Sequence, residues 1–369
     1  MKRIQGLDGL RAVAFLLVFF FHIYWFLPGW IGVQLFFVLS GFLITGILLD
    51  MKERLTAKDY FIKFYGRRFL RIFPLYYFYL SATALLVSWL IGQGFRVGYM
   101  RDFQEQLPYA LTYSYNFYFA SSLFERSINL LTHFWSLAVE EQFYFVWPFL
   151  ILLTPRKHAR NVFLGVIAFS PLFRLGITIV DQNDLWSILS PIEGLAAYVL
   201  PFSHLDAFAF GALLNVANLP KARQQFWALL IALPVVGALL DYLAAGTWEY
   251  LPHLGLIEPL TYAYKPVWGY TVLDYLFALL IYGVAREGWW KAILDSKSLS
   301  YLGKISYGLY VYHSAIIWFI YVWIDHSQLQ PFPIWAATLA LGLTILIAGL
   351  SYRFMEKPLI DLKDRFFAI

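Results

Sequence analysis

Ten stretches of mostly apolar residues run through the chain, separated by segments that carry most of its charges. About 20 apolar helical residues are needed to cross a bilayer core of about 30 Å. The pattern therefore predicts an all-α polytopic membrane protein, one transmembrane domain over residues 1–369, with both termini on the same side. The ten predicted transmembrane helices cover 10–27, 32–49, 72–91, 134–153, 161–180, 204–219, 226–243, 269–285, 305–324 and 333–352.

The composition supports a membrane protein. Hydrophobic residues make up 60% of the chain and charged residues 14%, against about 25% charged in a soluble domain. The mean hydropathy is +0.63. Such a chain cannot cover its own surface with polar groups, which excludes the soluble globular and disordered classes. With no cysteine, disulfides and thiolate metal sites are excluded as well, and we predict no metal site.

The basic residues predict the orientation of the chain. Of the 28 Lys and Arg residues, 23 fall on the side of the predicted helices that carries the amino terminus. The positive-inside rule places this side, and both termini, in the cytoplasm. The net charge of +5 is then mostly a topology signal, and we predict membrane lipids rather than nucleic acid as partners.

Several polar residues lie within the predicted helices, where they are costly. Arg11 and His22 are eleven residues apart on the first helix, so they share a face and lie about 16 Å apart along its axis. Residues on three other helices fall within about one helical turn of the level of His22, which predicts a shared cavity; they are Ser40, Glu140, Glu141 and Arg174. The two adjacent glutamates differ by about 100°, so at most one is expected to face the cavity squarely. A histidine bonded to a neighbouring helix, or an ion-pair cluster that only fixes packing, would explain the same residues.

Two further polar groups lie at the two mouths of the predicted bundle. At the cytoplasmic mouth, three arginines precede or begin the third helix and with Arg11 predict a guanidinium cluster suited to phosphates; they are Arg67, Arg68 and Arg71. Positive-inside anchoring is the other interpretation of that run. Near the outer mouth lie His133, His204 and Asp206. These three residues form either the polar rim of an entry cleft or an ordinary hydrated interface.

Six motifs, in order over residues 5–358, make the sequence resemble the acyltransferase 3 family, integral membrane acyltransferases of bacteria with eukaryotic relatives. The matching segments are Gly6–Ala12 with His22, Gly32–Ile44, Arg67-Arg68 with Arg71 and Pro74, His133–Tyr144, Ser306–His313, and Glu356-Lys357-Pro358. The chain lacks the fused periplasmic SGNH-type esterase domain of some members. It is therefore expected to be a stand-alone form, for which a separate periplasmic acyltransferase could act as partner.

The resemblance implies transfer of an acyl group, usually acetyl, from cytoplasmic acyl-CoA to a hydroxyl of a cell-envelope glycan, in the bacterial cytoplasmic (inner) membrane. Acetyl-CoA or another acyl-CoA would be the donor, with its phosphates held by the arginines at the cytoplasmic mouth. His22 is the expected general base, oriented by Glu141 or Glu140. Ser40 or Arg174 is expected to stabilise the oxyanion. In a variant of this mechanism, His22 or Ser40 is transiently acylated.

The remaining candidate residues are assigned to substrate binding, and two other functions stay open. The substrate-binding candidates are His133, Glu140, His204, Asp206, Tyr310 and His313. A proton-coupled secondary transporter of an envelope metabolite would use His22, Glu141 and Arg174 as a proton relay. Inverted repeats would favour transport, and the sequence shows none. A non-catalytic envelope scaffold is the third interpretation.

Overall fold

The fold is a bundle of α-helices, seen in a computed structural model that describes residues 4–183, 185–257, 265–323 and 331–368. The helices are α1 (Leu7–His22), α2 (Ile31–Arg54), α3 (Ala57–Gly92), α4 (Val97–Leu111), α5 (Tyr115–Phe119), α6 (Phe134–Leu153), α7 (Ala159–Gln182), α8 (Leu195–Val199), α9 (Leu205–Leu213), α10 (Ala222–Ala245), α11 (Lys265–Glu287), α12 (Lys291–Leu294), α13 (Lys297–Lys304), α14 (Ser306–Trp323), α15 (Ile334–Ser351) and α16 (Lys357–Phe366). A π-helical turn, Tyr352–Glu356, joins α15 to α16.

The prediction of an all-α polytopic membrane protein is confirmed. In the described ranges, seven helices are long and apolar enough to cross a membrane. The pair α13 and α14, bent by 76°, would make an eighth if it counts as one span. Two of the ten predicted spans are shorter than expected: α1 has 16 residues and α9 has nine. The chain leaves α1 at Tyr24, whose φ is +60°, and α9 begins only after a 3₁₀ turn at Pro201–His204.

The short helices α1 and α9 lie inside the bundle and position the site. Helix α1 packs against α2, α13 and α14, and α9 packs against α2, α7 and α11. All of α9 is buried except its first residue, Leu205, which is half-buried. Helix α9 is surrounded by other helices rather than by lipid. It therefore does not need the length of a membrane-spanning helix, and nine residues are enough.

Helices α2 and α9 approach each other closely because each has a glycine at the crossing. A methyl group at Gly41 would fall on the carbonyl oxygen of Phe208, and one at Gly211 would fall on the carbonyl oxygen of Val38. Small residues at such crossings let two helix backbones approach in a membrane. The contact fixes α2, which carries Ser40, against the centre of the bundle.

We expect Gly41→Ala to destabilise the protein by about 1–3 kcal/mol, because the added methyl group forces α2 and α9 apart. The measurement is the thermal unfolding midpoint in detergent, followed by the fluorescence of the 14 tryptophans. Gly342→Ala on α15 is the matched control, since a methyl group there meets open space. An unchanged midpoint for Gly41→Ala would show that the two helices separate at little cost.

Candidate active site

Two cavities hold most of the polar residues predicted from the sequence. The first, which we call the arginine cavity, has a volume of about 100 Å³ and lies among α1, α2, α3, α6 and α14. Its charged lining residues are Arg11, Arg68, Arg71, Glu140 and Glu141. Three arginines from two helices, α1 and α3, therefore line one space.

Hydrogen bonds within the arginine cavity centre on Glu140. The hydroxyl groups of Ser40 and Tyr144 both donate to Glu140 Oε1. The guanidinium of Arg68 lies over the Tyr144 ring, 5.5 Å from its centroid. Arg11 Nη1 donates to Asp8 Oδ1 at 3.2 Å. Tyr144 was missed by the sequence reasoning, although its position four residues after Glu140 places both on one helix face.

Both adjacent glutamates line the arginine cavity, and the expectation that at most one of them faces it squarely stays a prediction. Two neighbouring positions on α6 can face one space because the cavity extends across that side of the helix, from Ser136 to Tyr144.

The second cavity, which we call the histidine cavity, has a volume of about 330 Å³. His22 and His133 line it together with aromatic residues that include Trp30, Trp135 and Tyr198. The ring of His313 lies 4.9 Å from that of His22 and 5.2 Å from that of His133, between centroids. Three histidines from α1, α14 and the start of α6 thus form a cluster at this cavity.

The hydrogen bonds of the cluster define which nitrogens carry protons. His22 Nδ1 lies 2.8 Å from Val18 O; a carbonyl oxygen only accepts, so Nδ1 carries the hydrogen and Nε2 keeps its lone pair. His313 Nδ1 donates to Tyr310 O at 2.6 Å for the same reason. Its Nε2 then faces His22 Nδ1 at 3.4 Å as an acceptor. Neutral His22 therefore has one basic nitrogen, Nε2.

The structure gives His22 a different orienting partner from the one predicted. Glu141 or Glu140 was expected to orient His22, but both glutamates line the arginine cavity while His22 lines the histidine cavity. The carbonyl of Val18, one helical turn before His22, accepts from its Nδ1 instead. This local contact follows from the i, i+4 geometry of α1 itself.

Arg174 belongs to a third polar group, away from both cavities. Arg174 and Asp206 are fully buried and form a two-bond ion pair, with N···O distances of 3.1 and 2.8 Å. Arg174 also donates to Thr271 Oγ1 at 2.5 Å and to Ser203 O. Among the described residues lining the two cavities, neither member of this pair occurs. The predicted single cluster at one depth is therefore divided, because α7 turns Arg174 towards α9 and α11.

Two other predicted site residues are engaged elsewhere. His204 is buried, donates from Nε2 to Tyr198 O at 2.6 Å and accepts from Gln34 at 3.0 Å. Its ring packs beside Trp135 in the wall behind the histidine cavity. Arg67 donates to Phe367 O at 2.9 Å and is not among the described lining residues of the arginine cavity. The structure thus separates Arg67 from its neighbour Arg68.

The two cavities adjoin each other. Val33 and Tyr310 line both. Tyr310 and His313, predicted as substrate-binding residues, therefore lie at or beside the boundary, and His133 lines the histidine cavity itself. Arg11 at the arginine cavity and His22 at the histidine cavity lie on the same helix, α1, so a ligand that follows α1 past this boundary connects the two cavities.

Known proteins that are similar to this chain are named acyltransferases. A family model described as an acyltransferase domain matches residues 4–353. The chain is similar to the O-acetyltransferase OatA of Staphylococcus aureus strain NCTC 8325 / PS 47 and to OatA of strain MRSA252, with 29% identity over 97% of the chain in each case. It spans 57% of the length of these relatives. No solved structure matches the chain significantly. The chain belongs to the acyltransferase 3 family.

Proposed function

We propose that this protein transfers an acyl group, most simply acetyl, from acyl-CoA to a hydroxyl of a cell-envelope glycan. The observation that carries the proposal is the pair of adjoining cavities, one lined by guanidinium groups and the other by a histidine with a free basic nitrogen. The relatives are named O-acetyltransferases, which agrees with a hydroxyl acceptor. The positive-inside pattern supports a cytoplasmic arginine cavity and an external histidine cavity in the bacterial cytoplasmic membrane.

The arginine cavity suits the phosphates of the donor. Guanidinium groups bind phosphate oxygens in pairs and stay charged at any physiological pH. Arg11 has Asp8 as a partner, while Arg68 and Arg71 lie one turn apart on α3 and face the same space. In this proposal they hold the phosphates, and the pantetheine arm extends along α1 towards His22.

The histidine cavity suits the chemical step. His22 Nε2 accepts the proton of the acceptor hydroxyl as its oxygen attacks the thioester carbonyl. The carbon–sulfur bond then breaks, an oxygen ester forms, and the CoA thiolate leaves and recovers the proton from His22. The Val18 carbonyl, 2.8 Å from Nδ1, holds the ring in place and stabilises the imidazolium that forms between these events.

We expect Arg68→Ala to raise the KM for acetyl-CoA about 10- to 100-fold, because one charge-assisted phosphate contact contributes roughly 1.5–3 kcal/mol. The measurement is transfer of radiolabelled acetyl groups from acetyl-CoA to an envelope-glycan extract by the protein in nanodiscs. Arg67→Ala is the matched control, since it removes the same charge from the adjacent position outside the cavity.

Equal effects of the two substitutions would contradict a phosphate site in the arginine cavity. A folded wild-type protein that neither binds nor turns over any acyl-CoA would contradict the proposed function as a whole, and would favour transport.

A further inference from the structure

The boundary between the arginine cavity and the histidine cavity is formed largely by one aromatic side chain. Tyr310 lines both cavities and is 6% exposed. Val33 of α2 is the other residue common to both linings. Ser136 lines only the arginine cavity, and its neighbour Trp135 lines only the histidine cavity. The division between the two spaces therefore passes through the ring of Tyr310.

The Tyr310 ring is held across the boundary by a hydroxyl pair. Ser136 Oγ lies 3.0 Å from His133 O, to which it can only donate. The Tyr310 hydroxyl lies 2.5 Å from Ser136 Oγ and 3.4 Å from His133 O, so Ser136 is its nearer partner. The edge of the ring also packs against Phe36 of α2, with centroids 6.0 Å apart. These contacts connect α14 to α6 and α2.

We propose that Tyr310, held by Ser136, is a movable barrier between the two cavities, and that the thioester arm of a bound acyl-CoA displaces it. The identity of the displacing ligand rests on the proposed function, whereas the barrier itself does not. The two cavities approach α1 at Arg11 and at His22, about 16 Å apart along its axis. An arm that begins at the arginines has to pass Tyr310 to bring its carbonyl to His22 Nε2.

A closed barrier has a chemical benefit. While the thioester of an arriving donor still lies in the arginine cavity, the closed barrier keeps water of the histidine cavity away from it, and exclusion of water prevents hydrolysis as a side reaction. After one donor has left and before the next one binds, the closed barrier also prevents a continuous aqueous path across the membrane.

The experiment uses the absence of cysteine from the chain. Single cysteines are introduced as Asn129→Cys in the histidine cavity and Ile72→Cys in the arginine cavity. Right-side-out and inside-out membrane vesicles are treated with a membrane-impermeant cationic methanethiosulfonate. From outside, we expect Asn129→Cys to react and Ile72→Cys to be protected. Adding Tyr310→Ala should raise the external rate at Ile72→Cys at least tenfold.

Matched variants separate opening of the barrier from misfolding. Tyr312→Ala lies two residues further along α14, outside both linings, and should leave Ile72→Cys protected. Ser136→Ala keeps the Tyr310 ring and its longer contact with His133 O but removes the nearer hydrogen-bond partner, so the external labelling rate of Ile72→Cys should be intermediate. The rate at Ile72→Cys from the inside should stay the same in every variant if the fold is intact. External labelling of Ile72→Cys with Tyr310 in place, or protection that persists in Tyr310→Ala, would overturn the barrier.

A non-hydrolysable acetyl-CoA analogue tests the ligand separately. Added on the cytoplasmic side, it should slow external labelling of Asn129→Cys at least fivefold in the wild-type background, because its acyl end then occupies the histidine cavity. Tyr310→Ala can open the path while the analogue leaves the external labelling rate of Asn129→Cys unchanged. In that case the barrier is supported, and acyl-CoA is refuted as the ligand that crosses it.

Discussion

Replacing His22 with alanine is expected to lower the rate of acyl transfer about 10²- to 10⁴-fold, the usual contribution of a positioned general base. The reason is local: His22 Nε2 carries the free lone pair at the histidine cavity, since Nδ1 is bonded to Val18 O. The kcat for transfer of labelled acetyl groups should fall. The KM for acetyl-CoA should stay within about threefold, because the arginines lie in the other cavity.

His253→Ala is the control for this prediction, since His253 belongs to a 3₁₀ turn at Leu251–His253, outside the described linings of both cavities. It should retain full activity. If His22→Ala kept most of its kcat, or lost only its affinity for the donor, His22 would not be the base.

Removing one partner of the Arg174–Asp206 pair is expected to have the largest effect on stability. Asp206→Leu removes the two-bond partner of the buried Arg174 guanidinium, and loss of one member of a buried pair costs about 3–5 kcal/mol in comparable proteins. Both side chains are fully buried, so water cannot compensate. Thermal unfolding and monodispersity in detergent should both report the loss.

The double variant Arg174→Met with Asp206→Leu should recover more than half of the lost stability, because the guanidinium is no longer buried without the carboxylate that pairs with it. It also tests the sequence-based role of Arg174 in oxyanion stabilisation. If the double variant is stable and transfers acyl groups at the wild-type rate, the pair only fixes packing. If stability returns and kcat stays at least a hundredfold lower, Arg174 takes part in the chemistry despite its position.

The helical membrane fold could be predicted from hydropathy, but the lengths of helices α1 and α9 could not. Hydropathy registers apolar residues and not where a helix ends, so α1 was extended to residue 27 although Tyr24 adopts a positive φ. For α9, the prediction began at His204 and ran to residue 219, whereas the helix ends at Leu213. Its short length is tolerated because other helices enclose it, which a single sequence does not show.

The site was predicted partly because depth along a helix can be counted. Counting placed Ser40 and Glu140 at one level, and the structure joins them by a hydrogen bond. Depth does not give the rotation of a helix about its axis. The sequence therefore predicts Arg174 in the same cavity, whereas in the structure it faces Asp206. The histidine cluster required the packing of α14 against α1, for which the spacing of His22 and His313 in the sequence gives no signal.

The bond from His22 Nδ1 to Val18 O has a consequence for the order of substrate binding. A ring held at Nδ1 offers only Nε2 to the substrates, and a nitrogen that carries an acyl group cannot also accept the acceptor's proton. An acyl-histidine intermediate would thus leave the second half-reaction without its base. We therefore expect sequential kinetics, with donor and acceptor bound together, and intersecting rather than parallel double-reciprocal plots when both concentrations are varied.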